Sequence, residues 1–407
     1  MPLGVDMKAG VGFSDNPETA AAGLEAAGEA MRQAGRDDPC DLALLFMTTK
    51  HEAKVLTCAV RAVIGEQARI VGGGAVGTIT NDRFGYAGDQ VGIACFWLGG
   101  AEVGIFSEGG LHEGEFENGR RLGKQLASAG VTESTQMMLF YDAIYRTPGE
   151  MRLLMATGLL AGLEDELGFL PDLNGVGMMG DFSCNASKQW IGSEITDHHS
   201  LALTFSGDAR IDSVIMHGCR PATRYYTVTK AMGQAILEIN GQPALDFVYE
   251  LLGRAIPPEA FPFFLLFGVN RGMKWSEFNE GNCASRLCLA IDPEHRGIVM
   301  FEPDMIAGTE FQIMYRSLDP DYMKPKIEGL FERVSDRKPV FAFYINCAGR
   351  AAGYGGMDME DAVMMQKTVA GRVPVLGVYS GVEIARIMGR PRGLDWTGVF
   401  CLFSVPK

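Results

Sequence analysis

The chain is poor in the residues from which metal centres and nucleic-acid surfaces are built. Only six histidines occur in 407 residues, and no two stand in an H-x-x-x-H spacing. The nine cysteines include no C-x-x-C; Cys283 and Cys288 fall across a strand start, and the adjacent His198 and His199 would point to opposite faces of a strand. No dedicated metal site is therefore expected. Lys and Arg number 36 against 50 Asp and Glu, for a net charge of −14, and no basic run is interleaved with aromatics. That excludes a phosphate-backbone footprint, and with it nucleic acid as a partner. No stretch approaches the roughly 18 uninterrupted apolar residues that cross a bilayer, and the N-terminus lacks a charged segment leading into an apolar one. Neither membrane insertion nor a secretion signal is expected. An odd number of cysteines, mostly inside apolar runs, suits reduced thiols better than a disulfide framework, so the expected location is cytoplasmic.

Glycine, by contrast, is abundant at 52 residues, and its placement repeats. Segments 69–79, 173–182 and 375–384 each hold a glycine-spaced strand. An apolar strand-like run and a helix precede each one (runs at 42–46, 136–140 and 341–345), and a further strand follows (91–97, 201–205 and 398–403). One supersecondary unit has been used at least three times, and repeated units pack side by side with related loops at one end. The first two copies spell G-x-G-x-x-G, the dinucleotide fingerprint. That fingerprint needs the glycine loop to open a helix, whose N-terminus meets the pyrophosphate. Here each loop follows a helix and runs into a strand, so the glycines mark close approach of a packed neighbour or a ligand.

Local signals fill in the rest. Asn16 as cap, Pro17 at the first helical position and the stripe Leu24, Ala27, Met31 predict a helix ending at Gly35. Further helices are expected at about 51–64, 150–167 and 326–333, a turn at Cys219-Arg220-Pro221, and an Asn240-Gly241 turn leading into a helix. Runs at 263–267, 287–291, 297–301 and 311–314 read as antiparallel strands. The fold class is α/β (α+β): two domains, 1–225 and 226–407, of mixed sheets covered by helices, built from repeated strand–helix–strand–strand units, with stacked sheets as one packing. Glycine-rich strands at sheet edges would make a homodimer reasonable.

The motifs Gly218-Cys-Arg-Pro221, Asn346-Cys-Ala-Gly-Arg350, Pro374-Val-Leu-Gly-Val-Tyr-Ser-Gly-Val-Glu-Ile384 and Asp395-Trp-Thr397 follow one another in an order that resembles the FIST family. The N-terminal half agrees through 41–46, His51 and the first glycine strand. The resemblance covers nearly the whole chain. It implies a small-ligand-binding sensory module with an N- and a C-terminal domain, the ligand being amino-acid-like or carboxylate-bearing, and it implies haem in some members, with nitric oxide as the signal. It carries no catalytic residue set. Three positions depart from the pattern: Val382 stands at the family's glycine, with Gly381 one place earlier, Thr78 at the acidic position of the first repeat, and Asp395 at an asparagine. With no output domain recognised in the sequence, signalling would pass to a separate protein.

Candidate site residues follow from side-chain chemistry. Arg350, in a turn after a buried strand, offers a planar fork to a ligand carboxylate or phosphate; the alternative is an ion pair with Glu383. Arg220 has the same logic. Glu383 and Asp395 could take an amino group, Tyr379 and Ser380 supply hydroxyls, and Gly377 lies in the same strand. Cys219 and Cys347 sit near arginines and are candidate nucleophiles for an enzyme acting on a carboxylate-bearing substrate, against the reading as buried apolar residues. His51 and His217 are the candidate haem ligands. The ligand is expected near the interdomain cleft.

Overall fold

The computed structural model describes residues 6–253, 257–261 and 265–407. Three units follow one plan: first strand, helix, central strand, helix, glycine strand, hairpin, returning strand. The first comprises Lys8–Ser14, helix Thr19–Ala34, Leu42–Met47, helix Ala53–Ile64, Arg69–Gly74, the hairpin Gly77–Ile79/Phe84–Tyr86 and Val91–Trp97. The second comprises Val103–Glu108, helix Glu115–Ser128, Gln136–Asp142, helix Ala156–Leu167, Asp172–Met178, the hairpin Gln189–Gly192/Glu194–Thr196 and Ser200–Phe205. The third comprises Arg210–Met216, helix Met323–Arg333, Arg337–Cys347, helix Asp361–Val369, Val375–Ser380, the hairpin Val382–Ile387/Arg390–Leu394 and Gly398–Pro406.

In every unit the strands lie in the order first, returning, central, glycine. Central and glycine strands are parallel, as a helical crossover requires. Each hairpin then leaves its own sheet. The first unit's hairpin pairs with the third unit's glycine strand, the second's with the first's, and the third's with the second's. The exchange is cyclic. It also explains the glycines: a Cβ on Gly177 would stand 2.7 Å from the Cβ of Val382 in the donated strand, and one on Gly72 would stand 2.1 Å from the Leu45 carbonyl oxygen. The close neighbour is protein. Because they lie inside their sheets, the glycine strands are not the edges on which a second copy would pair.

Alternation along the central strands sets the layers. Leu42, Leu44 and Phe46 face a core shared by all units, whereas Ala43, Leu45 and Met47 lie under the first unit's helices. Phe46, Phe140 and Phe343, one from each central strand, meet with ring centroids 5.7–6.3 Å apart. Burying such a ring contributes about 1.5–3 kcal/mol, and truncating one to alanine would cost about 3–5 kcal/mol. The mixed sheets covered by helices expected from the sequence are present, and three of them surround one core.

A closed barrel is inserted in the third unit between Arg210–Met216 and the helix Met323–Arg333. Its strands are Tyr226–Met232, Ala235–Ile239, Gly297–Met300, Cys283–Asp292, Leu266–Asn270 and Glu310–Arg316, the last pairing with both Leu266–Asn270 and Tyr226–Met232 to close the ring. Asn240 and Gly241, at φ 50° and 81°, form the expected tight turn before the helix Ala244–Leu252. The strand expected at 263–267 has residues 263 and 264 outside the described residues.

Three local expectations are corrected. The first helix is capped by Glu18, whose carboxylate accepts from the N–H groups of Ala20 and Ala21, while Asn16 accepts from the Glu18 N–H one turn earlier. Residues 150–153 are not helical: they pair back on Ile144–Thr147, and the helix starts at Ala156. Cys219–Pro221 is a short strand on Glu310–Arg316 instead of a turn.

Candidate functional site

The parallel strands Arg337–Cys347 and Val375–Ser380 end side by side, with Cys347 opposite Ser380. The barrel folds back over these ends and over the hairpin Ile144–Leu153 of the second unit. Between them lies a cavity of about 320 Å³, the size of a small-molecule site. The barrel contributes Leu287, Leu289 and Phe301 to its wall, and the second unit contributes Ile144, Met179 and Phe182. Ser380, Asp395, Trp396 and the Cys347-Ala348-Gly349 turn close the remaining side.

Asp395 is 4% exposed. Its Oδ2 accepts from the Leu287 N–H at 2.8 Å, which ties the third unit to the barrel. Its Oδ1 has no partner. Burial pushes this carboxyl up to about 7, against the pull of Arg286 and with help from Glu302 and Asp304. Glu383 is completely buried, and burial holds it well above the usual carboxylate range. Ser380 Oγ donates to Glu383 Oε1 at 2.7 Å and lies 3.0 Å from the Asn346 carbonyl oxygen. The Thr397 N–H reaches the other Glu383 oxygen at 3.3 Å.

Arg350 lies beside this cavity but faces away from it, into the protein. Its Nε donates to Asn346 and Asp361, one terminal nitrogen to the carbonyls of His217 and Trp396, and the other to Tyr322 and Asp361 at 2.5 Å each. The ion-pair partner is Asp361, not Glu383. Tyr379 donates to Glu360 at 2.8 Å, and Gly377 sits inside its sheet opposite Ile79. Arg220 is exposed on the edge strand, its guanidinium 6.0 Å from the Phe278 ring centre.

Neither candidate thiol is activated. Cys219 is buried, its pKa is pushed up to about 12, and its Sγ lies 3.4 Å from the His217 carbonyl. Cys347 borders the cavity, and burial with Glu383 nearby holds its thiol well above the ordinary range. His51 uses both ring nitrogens, toward Thr19 and the Asp89 carbonyl. His217 is pushed down to about 4 by burial. Its unpartnered Nε2 belongs to a residue bordering a crevice of about 10 Å³, room for a single water and no macrocycle. Among the described residues no group of three or more His, Cys, Asp or Glu is placed to hold a metal ion.

The structure thus brings Ser380, Asp395 and Cys347 to one cavity, places Glu383 directly behind it, and leaves Arg220, His51 and His217 elsewhere. Sequence reasoning missed the barrel wall and Glu302. The latter is fully buried in the barrel and accepts from Ala156 N at 3.1 Å and Thr157 N at 3.0 Å, capping a helix of the second unit. Nothing in its local sequence marks that role, because the helix lies far away in the chain.

Comparison with known proteins adds context. The FIST N domain matches residues 41–242 and the FIST C domain residues 244–386. Uncharacterised proteins from Mycobacterium bovis and Mycobacterium tuberculosis are each 27% identical over 195 residues, 47% of this chain and 50% of theirs. The chain therefore spans about half the length of the curated relatives it matches. Among solved structures, a cyanuric acid hydrolase from A. caulinodans aligns with a TM-score of 0.32 at 10% identity, over 98% of this chain and 99% of that one. A chorismatase aligns with a TM-score of 0.31 at 9% identity, over 99% of both chains. Likeness at that level carries no argument about function. Among the described residues no helix is long and apolar enough to cross a membrane.

Proposed function

The chain belongs to the FIST family, whose domains are recognised as sensory domains, and from that premise we propose that it binds a small molecule in the cavity between the repeat units and the barrel. The observation that carries this reading is the bare Oδ1 of Asp395, a buried acceptor beside an apolar cavity. Leaving a buried polar atom unmatched costs about 1–3 kcal/mol, and such a cost is commonly retained where a ligand supplies the partner. Occupancy has a route outward. The cavity wall is shared by the barrel and the second and third units, and buried carboxylates bridge the same bodies, Asp395 to Leu287 and Glu302 to Ala156 and Thr157. A ligand that favours one seating of the barrel shifts that equilibrium by its differential affinity. In this reading the protein works in the cytoplasm and hands its signal to a separate partner, and its nine free cysteines fit a reducing compartment.

Native mass spectrometry after incubation with the low-molecular-weight fraction of a cell extract tests the proposal. A defined non-covalent mass excess is expected, and it disappears in a Leu289→Trp protein whose indole fills the cavity. A bare native mass, or an excess untouched by Leu289→Trp, overturns the assignment.

A further inference from the structure

The lining of the junction cavity departs from what an amino acid or a carboxylate-bearing ligand needs. Among the described residues that border it there is no Lys or Arg. The adjacent guanidinium, Arg350, has each of its nitrogens engaged by protein acceptors. The hydroxyl of Ser380 is held between Asn346 and Glu383. What the protein leaves without a partner is an acceptor beside the cavity: Asp395 Oδ1, on a side chain more than nine-tenths buried.

Resting on the reading of this cavity as the ligand site, we propose that its occupant is a compact, largely apolar molecule with one cationic N–H donor, an arylalkylammonium in its simplest form, anchored on Asp395. The apolar body packs on Leu287, Leu289, Phe301 and Met179. Aromatic rings at Phe182 and Trp396 also border the space, and ring faces attract cations that have been stripped of water.

The charged groups around Asp395 form one buried cluster. Of the groups facing Asp395, Arg286 is a fork-to-fork partner of Asp304, with Nε and a terminal nitrogen at 2.6 and 2.7 Å from its two oxygens. Arg271 also reaches Asp304, at 3.2 Å, so two guanidiniums share that carboxylate. Burial raises the carboxyls of Glu302 on the barrel and Glu383 on the donated hairpin, and Tyr141 behind them is a buried phenol. An ammonium that ionises Asp395 would form a new ion pair in the cluster. With this carboxyl at about 7 in the empty protein, binding a cation below that pH must also expel its proton. Affinity then falls below neutrality, toward about tenfold for each pH unit, and levels off above it.

Isothermal titration with 2-phenylethylammonium, 2-phenylethanol and 3-phenylpropionate, three probes of similar shape, separates the possibilities. The ammonium is expected to bind at least tenfold more tightly than the alcohol, with the propionate weakest. Asp395→Asn should remove that advantage, and the ammonium affinity should fall about fivefold from pH 7 to pH 6 and about tenfold over the next unit. If the propionate or alcohol binds as tightly as the ammonium and Leu289→Trp blocks it, the ligand class is wrong while the cavity assignment stands. Ammonium binding that Asp395→Asn does not weaken, or no binding of any probe at millimolar concentration, also overturns the class; the mass-spectrometric result then judges the cavity by itself.

Discussion

Asp361 and Asp395 are equally buried, at 4% exposure each, and Trp396 borders the clefts beside both. Their surroundings could hardly differ more. Asp361 has a guanidinium at 2.5 and 2.9 Å, and that guanidinium is itself matched to two carbonyls, a phenol and an amide. Asp395 has one backbone N–H and an empty oxygen. A saturated cluster of the first kind fixes the strand end and the helix Asp361–Val369 in one arrangement, which is a structural task. The second kind is stable only because the surrounding fold holds it, and it gains from any incoming donor. Seen this way, Arg350 is a brace and Asp395 an opening.

The largest effect should come from the brace. Arg350→Met strands Asp361 as an uncompensated buried carboxylate and should cost about 3–5 kcal/mol, read as a lowered urea midpoint with an unchanged slope. If the loss is below 1 kcal/mol on the same scale, the two clusters are not different in kind. Next comes the opposite sign. The Asp395 carboxyl is raised from 3.8 to about 7, so the native state holds its proton more tightly than the unfolded chain. The associated stability is fully present below about pH 3.8 and is lost as pH rises through about 7. Asp395→Asn should therefore stabilise the protein above neutrality by up to about 4 kcal/mol at ~1.4 kcal/mol per pKa unit, with no such gain at acidic pH. Thermal melts of both proteins across that range would show it, and a destabilised Asn variant at pH 8 would sink the account.

Smaller changes sharpen the contrast. Glu302→Ala removes the cap on Ala156 and Thr157 and should cost about 1–2 kcal/mol; Glu302→Gln, which keeps one acceptor oxygen, should cost less, and equal losses would mean that the cap needs both carboxyl oxygens. Smallest is Tyr379→Phe, which deletes one hydrogen bond to Glu360 within the saturated region, worth about 1 kcal/mol. Chemical denaturation resolves that value, and ligand binding should be unaffected.

How much of this could be seen in the sequence depends on how local each signal is. The three glycine strands were legible because glycine spacing and apolar alternation are local properties, and the helices they follow came with ordinary end signals. Which sheet receives each hairpin was not legible, since Gly77–Ile79 or Val382–Ile387 reads as a hairpin whichever neighbour it joins. Asp395, Ser380 and Glu383 could be singled out from a motif near the ends of strands. Their division of labour could not, because Glu383 faces its own hydroxyl neighbour and Asp395 faces a barrel strand more than a hundred residues earlier. Arg350 shows the limit most clearly. A guanidinium after a buried strand was an obvious candidate, but its partner Asp361 opens a helix whose packing no spacing rule reports. The helix expected from 150 was lengthened by apolar residues at 153 and 154, which instead belong to a hairpin strand and the segment before Ala156.

The cyclic exchange of hairpins has a consequence for synthesis. The strand Arg69–Gly74 leaves the ribosome well before Gln189–Gly192, the strand that covers its flank. At about 5–20 residues per second that flank stays open for on the order of ten seconds. The hairpin Gly77–Ile79/Phe84–Tyr86 waits longer still, until Val375–Ser380 has been made. During this interval the nascent chain carries an unpaired glycine-rich border of the kind that recruits stray strands. Completing the ring therefore waits until the third unit has been made, and a ribosome that stalls just beyond the second unit would release a chain with an open seam.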